Sequence, residues 1–550
     1  MILLAKVPRE VRSYFRENSE NLALGYLAAA LRREGRTIRL YDGALERVPL
    51  DEACARVCEL AKTEHPVVVG FTISDFTYIG PTVEAIGRLR SSGYAGHITM
   101  GGHAPTFNYR ETLDLCPGLD SIVRYEGETA MCRLADHLAE GTDWRQCPSL
   151  VYRGNGGEVT VNQPECPTAD LDDYSFPARD YLPYVVDNLG DTGIVAMVAS
   201  RGCHADCGFC SIRRFYDIPG CRPWRQRSVK NIFAEIRGIL EEHPGVREIV
   251  FVDDNFTHPG SGKMERLAEL EREAKALPVP MMFSISERVD GIDEGTAAAF
   301  RRIGVRQVLL GLESGDPALL AKMNKHIRPE DHARALGLLR AQGIDVACSF
   351  ITFTPWSRLE QVRNDAGYFA SLGFNMVQGL LNRFQVYDGT PLAEELHRTG
   401  RITGSFPEYD YVADDPRCDA LYRFVAKQFG PVLQMAYQLK VAERHLRFEL
   451  FQAELNGNAM VAAETRRTRA RFDKLVARAM YDVVALFEEA MGLVEYGGID
   501  RGISFEVQCT GEEEFAARVS RAALGWLAAV DFADRIRPAT SARARQGAPK

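Results

Sequence analysis

Through the first 140 residues, short apolar runs alternate with amphipathic stretches of helical period. The apolar runs predict strands at Ile2–Val7, Thr37–Tyr41, Val67–Phe71, His97–Met100 and Ser121–Val123. The stretches between them predict helices over Asn21–Glu34, Leu50–Thr63, Pro81–Ser91 and Glu128–Glu140. Strand–helix alternation with nearly continuous apolar strands predicts a parallel sheet covered on both faces, a Rossmann-like α/β domain. Leu150–Tyr152 and Val159–Val161 flank Gly154-Asn-Gly-Gly, which predicts a hairpin. Residues 163–193 carry prolines and acids without a period and read as an extended linker.

The alternation resumes at Ile194. Strands are expected at Ile194–Ala199, Glu248–Val252, Met281–Ser286, Val305–Leu310, Asp345–Ile351 and Asn375–Leu380, with helices between them. Six βα units predict a partial (β/α)6 barrel of the TIM type, whose chemistry sits at the C-terminal strand ends. Beyond Gly404 the pattern is mostly helical, with a break at Gly430-Pro431. The expected organisation is a Rossmann-like domain (1–147), a hairpin and linker (148–193), a partial barrel (194–403), a helical region (404–537) and a disordered tail (538–550). The basic stretch Arg466–Lys474 reads as a solvated helix face.

The chain has 550 residues, enough for several domains, and 46% apolar with 26% charged residues is ordinary for a globular protein. Its longer apolar runs, such as Ala522–Val530, are too short to span a bilayer, and the N-terminus lacks a signal-peptide pattern. A cytoplasmic location is expected. The net charge of −9 argues against a general nucleic-acid binder. Thirteen irregularly spread cysteines then read as thiols and metal ligands, not a disulfide framework.

The sharpest chemical signal is Cys203-His-Ala-Asp-Cys207-Gly-Phe-Cys210, directly after the strand at 194–199. Three thiolates on one loop can wrap one face of a four-iron cluster and leave the fourth iron open to a ligand. Structural zinc would want a fourth Cys or His at finger spacing, and neither His204 nor Cys221 has it. The Cys-x3-Cys-x2-Cys triplet, with the aromatic Phe209 before its last cysteine, resembles the radical S-adenosylmethionine (SAM) superfamily. The resemblance implies a [4Fe-4S] cluster on Cys203, Cys207 and Cys210 that binds SAM and cleaves it to a 5′-deoxyadenosyl radical. It implies SAM contacts from Asp253 and Asp254 after the second strand, and from Ser284, Ser286, Glu287 and Arg288 after the third. Glu313 and Ser314 of Gly311-Leu-Glu-Ser complete that set. The Gly-x-Pro-Gly-Glu element common after the fifth strand is replaced by Phe350-Ile-Thr-Phe-Thr-Pro-Trp-Ser.

The strand-end loops of the first domain are also distinctive. They are Phe71-Thr-Ile-Ser-Asp, Gly101-Gly-His-Ala-Pro-Thr and Tyr125-Glu-Gly-Glu128. Glycines there admit a flat ligand to the backbone and hydroxyls supply hydrogen bonds, so any nucleotide-like cofactor would suit. No Gly-x-Gly-x-x-Gly follows the first strand, which disfavours a dinucleotide. Together with Tyr387-Asp-Gly-Thr-Pro391, these loops resemble the cobalamin-binding (class B) branch of the same superfamily. The resemblance assigns cobalamin to Thr72, Ser74, Asp75, Gly101, Gly102, His103, Thr106, Tyr125, Glu126, Gly127 and Glu128.

The two cofactors together imply transfer of a methyl group from methylcobalamin to an unactivated carbon of a small molecule. The cysteine loop followed by Phe215-Tyr216 and Trp224-Arg-Gln-Arg-Ser228, with the later Gly-Thr-Pro element, is similar to natural-product C-methyltransferases of the clorobiocin pyrrole type. The cycle implies an external one-electron donor of the flavodoxin or ferredoxin type. A cobalamin-dependent rearrangement or ring-forming enzyme and a non-catalytic cobalamin or redox sensor are the alternatives. Neither Gly-x-Ser-x-Gly nor a phosphate-binding Gly-x4-Gly-Lys-[Ser/Thr] occurs.

Overall fold

The computed structural model describes residues 1–9, 17–189, 193–218, 220–373, 377–496 and 517–520. The chain divides into two compact units. The first is Met1–Glu287 with Met323–Lys325 and Gln385–Tyr411, and the second holds Arg288–Lys322, His326–Phe384 and the rest beyond Val412.

The first unit opens with a seven-stranded sheet. Its strands are β1 (Ile2–Lys6), β2 (Ile38–Asp42), β3 (Val68–Ile73), β4 (His97–Gly102), β5 (Ser121–Val123), β6 (Leu150–Arg153) and β7 (Val159–Val161), in the order β2-β1-β3-β4-β5-β6-β7. The first five are parallel, and the β6–β7 hairpin extends the edge antiparallel. All five residues of β1 are buried, as a strand covered on both faces requires. Leu3, Val69 and Ile98 pack with Val57 and Ile86 on one face; Leu4 and Val68 pack with Leu24, Leu31 and Leu134 on the other. Strands β3 and β4 run past their apolar stretches because pairing continues through Thr72–Gly101 and Ile73–Gly102. Strand order reverses between β1 and β3, which opens a crevice at their carboxyl ends.

Residues 163–189 form a strap tied down at several points. Leu171–Asp173 forms a helical turn and Leu182–Asn188 a helix. The Ala178 amide donates to the Gly25 carbonyl at 3.0 Å. Arg179 reaches Glu20 at 2.8 Å and Glu235 at 2.6 Å, and Arg227 holds the other oxygen of Glu235 at 2.5 Å. Period and propensity cannot see such pairings, because the partners lie far away in sequence. Cys166 and Cys221 are joined in a disulfide, so the expectation of thiols alone is corrected at these two positions. The strap brings together two cysteines separated by 55 residues.

In the same unit, β8 (Ala196–Met197) leads into a hairpin of β9 (Ser200–Gly202) and β10 (Trp224–Gln226). Strand β8 then pairs in parallel with β11 (Glu248–Phe251), and β11 with β12 (Met282–Arg288). The second unit carries β13 (Val305–Glu313) paired in parallel with β14 (Asp345–Phe350).

The expected sixth strand at 375–380 is not formed among the described residues. Positions 374–376 lie outside them, and Gln378–Leu381 is a short helix. Gly379 sits against the Phe369 ring and its carbonyl accepts from Thr352 Oγ1 at 2.7 Å. A parallel bridge between Phe353 and Arg383 stands in place of the strand. A short apolar run does not by itself distinguish a strand from a buried helical turn.

Helices Pro416–Gln428, Gly430–Leu455 and Ala459–Tyr496 follow in the second unit, the first two separated at Phe429. Of the basic stretch, Arg469 is not a solvated cation: it binds Asp345 at 3.1 Å, and Glu443 and Asp473 at 2.8 Å. The tail at 538–550 and the run Ala522–Val530 lie outside the described residues.

Candidate functional site

The cysteine loop leaves the β9–β10 hairpin through a position that only glycine fills without strain. Gly202 has φ +83°, and a Cβ there would sit 2.0 Å from the Pro223 carbonyl oxygen. Two adjacent carboxylates at the end of β11 hold the hairpin. Asp253 accepts the Ala199 amide at 3.1 Å and the Ser200 hydroxyl at 2.5 Å, and Asp254 accepts the Gly202 amide at 3.2 Å. The far side of the loop is pinned as well. The Gly208 amide donates to the Met323 carbonyl at 2.8 Å, its carbonyl accepts from the Leu392 amide at 3.0 Å, and Asn324 donates to the Asp206 carbonyl at 2.6 Å. The backbone of the loop that carries the three thiols is thereby fixed.

Burial pushes the Cys210 thiol up to about 12, and the neighbouring Cys207, Asp254 and Cys203 push the same way. Metal loading must therefore displace protons at this loop. Among the described residues no three Cys, His, Asp or Glu side chains converge as they would on a single ion. Three thiolates on three corners of a cluster stand further apart than that, and soft sulfur donors suit iron–sulfur chemistry. Burial raises Asp253 to about 7 and Asp254 to about 6. Phe209 carries the Lys325 ammonium 5.9 Å from its ring centroid.

A cavity of about 480 Å³ opens at the C-terminal ends of β1, β3, β4 and β5. Thr72, Ser74, Gly101, Gly102, His103, Tyr125, Glu126, Gly127 and Glu128 line it. It extends to Ser200, Arg201, Phe215, Tyr216 and Asp254 beside the cysteine loop. Gly102 has φ +116°, and a Cβ would fall 2.0 Å from the Ile73 carbonyl oxygen, so the end of β4 at Gly101 and Gly102 meets the cavity as bare backbone. Burial lowers His103 to about 4, leaving a neutral ring stacked on Phe215. Glycine backbone, hydroxyls and a neutral imidazole around a roomy crevice fit a bulky, flat cofactor.

Other expected residues hold the scaffold. Asp75 caps a helical turn by accepting the Thr77 amide at 2.9 Å. Thr106 is buried, donating to the Gly102 carbonyl at 2.7 Å and accepting the Tyr125 amide at 3.0 Å. It thus clamps two strand-end loops together. Glu126 and Glu128 are paired with Arg201, and Arg225 donates to Glu126 as well. Ser284 donates to Glu248 at 3.1 Å, the Ser286 carbonyl accepts the Phe256 amide at 2.9 Å, and Glu287 accepts the Thr257 amide at 2.9 Å.

In the second unit, Glu313 adopts φ +69° and accepts from Ser349 at 3.0 Å. Ser314 donates to Asp365 at 3.0 Å, and Arg288 pairs with Asp290 at 2.9 Å. Lys6, Tyr26 and Arg201 line the cavity without having been singled out from the sequence. Only Lys6, at the end of the first strand, could have been found by the strand-end rule.

Two regions of the chain match known domains. Residues 197–365 match the radical SAM superfamily and residues 11–135 the B12 binding domain. An uncharacterized methyltransferase of Pyrococcus horikoshii is 27% identical over 79% of this chain and 91% of that protein. The hopanoid C-3 methylase of Methylococcus capsulatus is 29% identical over 62% of each. Among solved structures, the cobalamin-dependent SAM radical enzyme OxsB superposes with TM-score 0.65 at 16% identity, covering 99% of this chain and 81% of that one. The radical SAM methyltransferase TsrM from Kitasatospora setae superposes with TM-score 0.59 at 19% identity, over 76% of this chain and 80% of that one. These two likenesses establish the fold.

The fold is thus an N-terminal B12-binding domain, a central radical SAM domain and a helical C-terminal region. A radical SAM domain and a B12-binding domain in one chain define a cobalamin-dependent radical SAM enzyme, with a [4Fe-4S] cluster, SAM and cobalamin as its cofactors. No described helix is long and apolar enough to cross a membrane.

Proposed function

We propose that the enzyme moves a methyl group from cobalamin to an unactivated carbon of a small molecule, of the kind made in natural-product pathways. The observation that carries this reading is the continuity of one cavity from the strand ends of the first domain to the cysteine loop. When bound, the cluster with SAM would supply hydrogen-atom abstraction from the substrate, and cobalamin a transferable methyl group. The chain's own residues bind, orient and exclude water. Cys203, Cys207 and Cys210 would hold the cluster, and Asp253 and Asp254 fix the loop that carries them. Thr72, Ser74, Gly101, Gly102 and His103 form the wall that receives the corrin. Ser286 and Glu287 stand at the end of β12, where SAM would be oriented. A flavodoxin- or ferredoxin-type donor supplies the electron, in the cytoplasm. Reconstituted enzyme given reductant, methyl-deuterated SAM and a small-molecule extract should yield a product heavier by one labelled methyl group. An isomerised product without label would contradict the proposal.

A further inference from the structure

Arg201 stands two residues before Cys203, in β9. Its guanidinium donates from one nitrogen to Glu126 at 2.6 Å and from the other to Glu128 at 2.7 Å. The centroids of the Tyr26 and Tyr174 rings lie 4.7 and 4.6 Å from its central carbon, within cation–π reach. Arg225, directly opposite Arg201 across the hairpin, donates to the second oxygen of Glu126. Both arginines of one rung therefore grip the strand-end loop of β5.

Each end of this link is rigid. On the cysteine side, Gly202 is held by Asp254 and backed by the Pro223 carbonyl. On the other side, Tyr125 sits at φ +64° with its amide bound by Thr106, and Glu128 is the first residue of helix Glu128–Glu140. The chain separation between Arg201 and its two carboxylates is 75 and 73 residues, so the link joins two sequence-distant loops that border one cavity.

We propose that Arg201 is a positioning residue that fixes the spacing between the cobalamin-binding loops and the cluster-binding loop. The inference rests on the cofactor placement proposed above. A planar fork can bridge two carboxylates where the point charge of lysine reaches only one. Arg201→Lys therefore keeps the charge and loses the bridge. Glu128→Gln weakens the same bridge from its other end while keeping its shape.

The test uses full-length protein reconstituted anaerobically with iron, sulfide and cobalamin. Magnetic coupling between cob(II)alamin and the reduced cluster, read by electron paramagnetic resonance, reports their spacing. In Arg201→Lys we expect iron and cobalamin contents equal to wild type but a weakened or spread coupling. Methyl transfer from SAM to reduced cobalamin, followed by its visible spectrum, should slow by about 10²-fold, since a misplacement near 1 Å suffices for that. Formation of 5′-deoxyadenosine, which needs the cluster side alone, should persist. Should Arg201→Lys not fold, Glu128→Gln must show the same split in weaker form. Unchanged coupling with unchanged remethylation, or an equal fall of both reactions, would overturn the proposal. A wild-type protein that takes up iron but no cobalamin would overturn the cofactor placement itself.

Discussion

His103 lies flat on Phe215, with ring centroids 4.0 Å apart and planes 12° from parallel. The first ring opens the short helix His103–Phe107 after β4, and the second belongs to the helix that follows Cys210. Burial in this stack lowers the imidazole from 6.5 to about 4. The unfolded chain binds a proton near pH 6.5 that the folded chain refuses until pH 4. Stability from this group is therefore complete above pH 6.5 and is lost as pH falls toward 4, by about 3 kcal/mol. His103→Phe should flatten that part of the stability–pH curve, measured by urea unfolding of the cofactor-free protein. A variant with the same acid limb as wild type would contradict the assignment.

Gly101 and Gly102 are adjacent but not equivalent. A Cβ on Gly102 would meet the Ile73 carbonyl oxygen at 2.0 Å in a left-handed backbone, whereas one on Gly101 comes no nearer than 3.2 Å to Val123. Gly102→Ala should cost about 3 kcal/mol or more, and Gly101→Ala about 1 kcal/mol. Gly102→Ala should also lose cobalamin uptake while iron content stays. Thermal melts and metal analysis of the two variants would decide it.

Arg179 ties the strap to Glu20 and Glu235 in a buried site. Removing it leaves two carboxylates without that partner, and Arg179→Met should destabilise the protein by about 3–5 kcal/mol. Equal denaturation midpoints would mean that the strap is held by its backbone alone.

The parallel strands of the first sheet were legible because β1 and its neighbours are apolar on both faces, a pattern with one structural reading. The reversal of strand order at β1/β3 was not, since nothing local records which strands pair. The cysteine loop stood out by spacing, and Asp253 and Asp254 by their position at a strand end. Glu126 and Glu128 are read as cobalamin contacts because their loop resembles one; both line the cavity, and both are also paired with Arg201. That pairing joins residues more than seventy positions apart and leaves no periodic trace. The helix at 182–188 and the turn at 378–381 were missed for a related reason: short elements take their form from what they pack against.

Cys203, Cys207 and Cys210 share one loop, but Cys207 is the most buried of them. Alanine at any of the three should remove the cluster and SAM cleavage together, because two thiolates leave two irons without protein ligands. Iron and sulfide analysis after anaerobic reconstitution checks this, and a variant with full iron content would remove that cysteine from the ligand set.

The most direct test of the whole account is one experiment on the full-length protein. Reconstituted without oxygen, it should be assayed together for iron, sulfide and cobalamin, then given SAM and a reductant. The account predicts about four irons, one cobalamin and 5′-deoxyadenosine. Bound zinc in place of iron, or a loaded cluster that never yields 5′-deoxyadenosine, would contradict it.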